Sequence, residues 1–332
     1  MDANTWLIGL AGVLATAAPI VVAAIGETLT ERAGVINLSV NGTILLSAMG
    51  SFVVALSTDS LVLGFLAGCV IGAAVALVVA FGSITLRQSQ VAVGFVLTLF
   101  CRDLSYFLGN PYMGEQGPTL SIQPIPGLEN IPILGTLFFK HDVMTYFSFA
   151  LIFVASWWIF RTRPGLILRA VGERPEAAFA RGARVNLIRY FYTALGGALV
   201  GLAGPMFSLS VKAGWKGTIS GLDGLGWIVL AIVIFGAWSP VRVALGAYLF
   251  GFLQWLSVVL QPDLQGIPSQ VLQVAPFPLM ILTLLLVNIG NAEWVERVLA
   301  ALPERSRRVV ARVLRSMRVV QPRSLGIPFE RD

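Results

Sequence analysis

Residues 61–86 read LVLGFLAGCVIGAAVALVVAFGSITL, 26 positions without one Asp, Glu, Lys, Arg or His. A bilayer's hydrocarbon core is about 30 Å thick and takes roughly 20 helical residues to cross. A helix that is apolar all round needs lipid or protein on every side. This stretch is therefore a membrane span. Working outward from it, similar apolar runs occupy about 6–25, 36–57, 91–108, 143–160, 190–210, 225–238, 241–260 and 271–289. The expected fold is an all-α polytopic membrane protein of about nine (8–10) transmembrane helices. The seventh run is short, and its Gly221–Gly226 start reads as a re-entrant or broken segment. Such a break is tolerated only where protein or a water cavity surrounds it.

Composition agrees. Apolar residues make up 56% of the 332 positions and charged residues 12%, against about 25% charged in a soluble domain. Too few charges remain to build a water-facing surface. Residues 1–290 form the membrane domain, and 291–332 read as a basic, amphipathic tail. The opening residues lack the basic flank of a cleaved signal peptide, so the first run is expected to stay as a span. Cys69 and Cys101 lie in apolar runs and read as small buried residues.

Charge sets the orientation. With an odd number of spans and an internal C-terminus, 19 of the 23 Lys and Arg fall inside. Only Lys140, Lys212 and Lys216 fall outside, and Arg102 lies in a span. The positive-inside bias therefore puts the N-terminus out and the tail in. The net charge of +6 is an orientation signal; a nucleic-acid role is disfavoured because the arginines flank spans. Two long connections result: an external Pro- and Gly-rich cap over 109–142, and an internal loop over 161–189.

Within the internal loop, Pro175-Glu176-Ala177-Ala178-Phe179-Ala180-Arg181-Gly182 carries helix start and stop signals. Glu176 and Arg181 match the helix dipole. Two turns do not stand alone, so this helix needs a packing partner. It lies either against the chain's own spans or against another protein.

Three blocks carry a resemblance: GETLTERAGVINLSVNG (26–42), LRAVGERPEAAFARGARVNLIRYFYTALGGALVGLAG (168–204) and GLDGLGWIVLAIVIFGAWSPVRVALGAYLFG (221–251). Together they resemble the membrane-spanning permease subunits of bacterial ABC importers, in the branch serving simple sugars, nucleosides and branched-chain amino acids. The likeness covers about residues 5–290. It departs at position 41, an Asn where the family more often has an acid, and in the long Arg-rich tail.

The resemblance implies a translocation pathway between two related permease subunits, often a heterodimer. It also implies ATP-binding subunits below, a substrate-binding protein outside, and a place in the bacterial cytoplasmic (inner) membrane. The coupling helix would be Pro175–Gly182, with Glu173 and Arg174 before it. The solute would be a nucleoside or related base, then a simple sugar, then a riboflavin-like compound. The sequence contains no GxxxxGK[ST] loop, so ATP and Mg would sit on partner subunits and this chain would bind no cofactor.

Candidate pathway residues are Asn37, Asn41, Arg102, Asp103 and Gln254. Asn37 and Asn41 share a helix face, to line a pathway or to bond neighbouring helices. Adjacent Arg102 and Asp103 are costly at membrane depth and are each expected to pair with another helix. Gln254 and Asn288 pose the same choice more weakly. Gly196, Gly197, Gly201 and Gly204 permit close helix packing. Trp215 and Trp227 read as interfacial anchors near the outer surface. His141, the sole histidine, reads as a solvated loop residue. The tail's alternating Val, Leu and Arg suggest a helix on the anionic inner leaflet, or contact with the ATP-binding subunit.

Two rival classes remain. An ion-coupled transporter would need deep acidic residues; Asp103 is one, while Glu27 and Glu31 read as inner-edge residues. A membrane-embedded enzyme would need a Ser/His, His-rich or paired-Asp constellation, which the spans do not spell.

Overall fold

The computed structural model describes residues 3–261, 278, 281, 282 and 321–329. Its helices are α1 (Ala3–Arg32), α2 (Val40–Thr58), α3 (Leu61–Ala80), α4 (Gln90–Gly109), α5 (Leu134–Phe138), α6 (Val143–Arg161), α7 (Arg163–Glu173), α8 (Pro175–Ala180), α9 (Val185–Pro205), α10 (Leu225–Phe235) and α11 (Pro240–Leu260). Among the described residues there is no strand, and eight segments are long and apolar enough to cross a membrane. The expected ninth span, Asn288 and the tail helix fall outside the described residues, apart from residues 278, 281 and 282. Residues 161–184 lie at one end of the bundle, the basic side; the 109–142 cap lies at the other.

The centre of the bundle is α9, packed along α1, α2 and α3. Its glycine stripe allows this. A Cβ on Gly201 would sit 2.2 Å from the Gly68 carbonyl oxygen, and one on Gly196 would sit 2.4 Å from that of Gly26. The backbones touch where other helices would interpose side chains. A second small-residue stripe on α4 (Gly94, Thr98, Cys101, Ser105, Gly109) is buried against α2 and its approach. The Thr98 hydroxyl donates to the Leu38 carbonyl at 2.7 Å.

The first span runs about two turns past the expected end at 25, because its polar end is buried among partners. Glu27 and Glu31 are 0% and 3% exposed. They lie in the last two turns of α1, toward its basic-side end, and are enclosed by protein. The Glu27 carboxylate accepts from the Asn37 backbone N–H at 3.3 Å, and Glu31 accepts from the Trp238 indole.

The second span starts later than expected, because residues 36–39 are not helical. This buried break has its backbone satisfied by side chains. Gln90 accepts from the Ile36 N–H at 2.7 Å, and Asn37 accepts from the Ser39 N–H at 3.1 Å. Non-helical backbone inside a bundle needs such partners.

Three loop expectations are corrected. His141 is 3% exposed; its ring donates to the Leu137 carbonyl at 2.8 Å, and its backbone N–H donates to the Tyr146 hydroxyl at 3.0 Å. The neighbouring Asp142 caps α6, accepting from the Met144 and Thr145 N–H groups at 2.8 and 2.9 Å, which draws His141 inward. Trp215 is 1% exposed, wedged against Gly109. Lastly, the internal loop holds a further helix, α7. Thr162 starts it, accepting from the Gly165 N–H at 3.1 Å.

Candidate functional site

On the basic side, α7 and α8 form a platform under the spans. Leu168 and Val171 are buried, and a Cβ on Gly172 would lie 2.1 Å from the Arg32 carbonyl oxygen. The platform therefore rests directly on the end of α1. The Arg32 guanidinium stands over the Phe160 ring at 5.1 Å and donates to the Trp238 carbonyl at 2.6 Å.

The helix α8 begins at Pro175 and stops before Gly182, whose φ is +87°, as its sequence signals require. Pro175 and Ala178 face inward; Glu173, Arg174, Glu176, Ala177, Phe179 and Gly182 face out. Ala178 packs with Val171 and Val185, which supplies the partner that two turns need. A hollow of about 510 Å³ beside α8 is lined by Glu173, Arg174, Ala177, Ala178, Arg181 and Arg323.

The second locus lies mid-span. The helix α10 has only 11 residues, about 16 Å of rise, half a bilayer core. The residues before it form a 3₁₀ turn (Gly217–Ser220) and the loop Gly221–Gly224. The expected break is present. Asn41 caps it: its amide oxygen accepts from the Gly224 and Gly226 N–H groups at 2.9 and 3.2 Å, and its NH₂ donates to Asp223 at 2.7 Å. Asn37 is likewise buried and bonded within the 36–39 break.

Arg102 and Asp103, near the middle of the span Gln90–Tyr112, pair with each other at 2.9 Å. Their side chains bend together along the outer face of α4, which corrects the expectation of partners on separate helices. They are 35% and 66% exposed. Asp223 lies within electrostatic reach of Arg102 and Tyr106. The Phe95 and Trp227 rings stack tilted at 6.1 Å on the same face. Charges at this depth do not face lipid cheaply, so this face of the single chain turns toward water or another protein.

Tyr106, Asp223 and Trp227 belong to this locus and were not singled out as pathway residues. The available signal was an acid, Asp223, inside the Gly-rich break.

Gln254 is elsewhere. It lines a cavity of about 330 Å³ with Thr16, Lys212 and Trp255, bounded by α1 and α11. Lys212 donates to the Ser220 carbonyl at 2.5 Å. Burial, and secondarily the charge of Lys216, pulls its amine below the ordinary lysine range. Among the described residues no His, Cys, Asp and Glu group has the makings of a metal site.

Residues 9–287 match the family model of the branched-chain amino acid transport system permease component. The chain belongs to this permease family. It is 38% identical over 256 residues to a putative glucose ABC transporter permease protein of Haloferax volcanii, covering 74% of this chain and 77% of that one. It is 32% identical over 296 residues to a nucleoside ABC transporter permease protein of Lactococcus lactis, covering 85% and 93%. It is also 32% identical over 285 residues to a guanosine ABC transporter permease protein of Bacillus subtilis, covering 82% and 89%. No solved structure matches it. The permease is thus a membrane-spanning subunit of an ABC importer, and the apolar helices described above are its spans.

Proposed function

We propose that this permease forms one half of a nucleoside pathway, with the α4–α10 face turned toward a related second permease subunit. The observation that carries this reading is the mid-span meeting of Arg102, Asp103, Tyr106 and Asp223 with Phe95 and Trp227. Rings offer stacking surface to a base, while the charged pair and the hydroxyl offer donors and acceptors to a ribose. Asn37 and Asn41 hold the two breaks that shape the wall behind it, and Gln254 lines a separate, mostly apolar pocket. The likeness to the nucleoside and guanosine permeases, over 93% and 89% of their lengths, supports the same reading. A simple sugar is the second reading, favoured by the glucose permease relative and by the ability of the same rings to stack on a sugar face.

In this reading the N-terminus is outside, the basic side is cytoplasmic, and the permease sits in the bacterial inner membrane. An ATP-binding subunit carrying ATP and Mg docks on the surface from Glu173 to Gly182. A substrate-binding protein delivers solute to the opposite side. Phe179, 39% exposed, is the apolar knob of the docking surface. Movement of α8 reaches α1 through the direct contact of Gly172 with Arg32. The test is uptake of radiolabelled guanosine and glucose by the reconstituted complex. Phe179→Asp is expected to lower ATP-driven uptake about a hundredfold, because it places a charge in an apolar contact, at unchanged amounts in the membrane. Normal uptake by that variant would sink the coupling assignment. Uptake of glucose but not guanosine would select the sugar reading.

A further inference from the structure

The platform has a component that the loop sequence does not contain. Residues 321–329, QPRSLGIPF, return to the basic side and lie across it. The Ser324 N–H donates to the Gly172 carbonyl at 2.9 Å, and its hydroxyl lies 2.7 Å from that oxygen and 3.1 Å from the Val171 carbonyl. These carbonyls belong to the last turn of α7, where a helix has no donors of its own. The Gly326 N–H donates to the Gly34 carbonyl at 3.1 Å, just past α1.

From α9, Arg189 donates to the Ile327 carbonyl at 2.9 Å and to the Ser324 hydroxyl at 3.3 Å. Arg189 is 1% exposed and Ser324 4%. A buried guanidinium is tolerated only with acceptors in place, and among the described residues, 321–329 supply the hydrogen bonds it makes. The Phe329 ring meets Phe179 at 5.6 Å and packs on the Val171, Ala178 and Val185 cluster.

We propose that residues 321–329 are a strap that completes the docking surface for the ATP-binding subunit. The proposal rests on the reading of α8 as the coupling helix. The strap ties α1, α7 and α9 together at one point, and it adds Arg323 and Phe329 beside α8. The hollow there then carries Arg174, Arg181 and Arg323 against a single acid, Glu173. The fitting partner surface is therefore acidic, with an apolar slot for the Phe179–Phe329 pair.

The experiment is affinity purification of the tagged full complex in mild detergent, reading the ATP-binding subunit recovered per permease, together with uptake. A stop after Val320 is expected to lower recovery about tenfold, as loss of a central contact cluster does. Arg323→Glu, at an exposed position that leaves the packing untouched, is expected to lower it about threefold and to flatten its salt dependence, because one screenable attraction is gone. Should the truncated chain fail to insert, Arg323→Glu and Phe329→Ala decide by themselves. Recovery and uptake within about twofold of the parent in the inserted variants would overturn the strap's role. If the parent chain itself brings down no ATP-binding subunit, the coupling assignment falls and the strap's role falls with it.

Discussion

Helices α9 and α4 are both apolar spans of about twenty residues, yet they live in different surroundings. In its most apolar stretch α9 is 67% buried, whereas α4 is 22% buried. The difference lies in how the small residues are distributed. On α9 the glycines meet three helices, α3 at Gly197 and Gly201, α1 at Gly196 and α2 at Gly204. On α4 they form one stripe toward α2, and the remaining faces carry Phe95, Phe100, Phe107 and the Arg102–Asp103 pair outward. Hydropathy says only that a segment leaves water. Side-chain size on each face says whether it finds protein there. One helix is packed on several sides, and the other leaves a face uncovered in the single chain, the face proposed above for a partner or a solute.

The largest expected effect breaks the scaffold side. Gly201→Leu puts a side chain where a Cβ alone would be 2.2 Å from the Gly68 carbonyl oxygen, and overpacking of that severity costs about 3 kcal/mol or more. Monodisperse permease recovered in detergent should fall about tenfold. Phe107→Ala on α4, at a site 78% exposed, should stay within about twofold. Equal losses would erase the distinction.

Next in size is the functional side. Arg102→Ala should leave recovery unchanged and cut uptake about tenfold, since it leaves Asp103 and Asp223 without their cation at membrane depth. A loss of folded protein without a specific loss of uptake per molecule would move Arg102 to the scaffold class. The smallest effect is Asn41→Ala. It removes the cap of α10 and should cost about 1–2 kcal/mol in thermal unfolding. An unchanged transition would show that solvent satisfies the half-helix as well as Asn41 does.

Much of this was legible in the sequence. Runs of spanning length located each of the eight described spans, and the Pro175 and Gly182 punctuation bounded α8. The glycine run 196–204 announced close packing. What escaped depended on partners in other elements or on how nearby side chains turn. The break at 36–39 looks like span because the groups that satisfy it, Glu27 and Gln90, come from other helices. His141 looks like a solvated loop residue because its position beside a charge hides that Asp142 caps α6 and that Leu137 and Tyr146, four and five positions away, hydrogen-bond it. Arg102 and Asp103 point apart on an ideal wheel, but a long, flexible arginine closes that angle. Asp223 stands in a Gly-rich turn whose depth only the short length of α10 fixes.

The reach of the strap has a consequence in time. Arg189 and Ser324 are separated by 135 positions, and a ribosome adds about 5–20 residues per second. Roughly 7–27 seconds of elongation at that rate separate them. During that interval α8 is already made but the surface beside it is unfinished. Until residues 321–329 have emerged, a nascent permease offers its partner an incomplete footprint. If the strap completes the docking surface as proposed, assembly with the ATP-binding subunit favours chains that have been made through to Phe329.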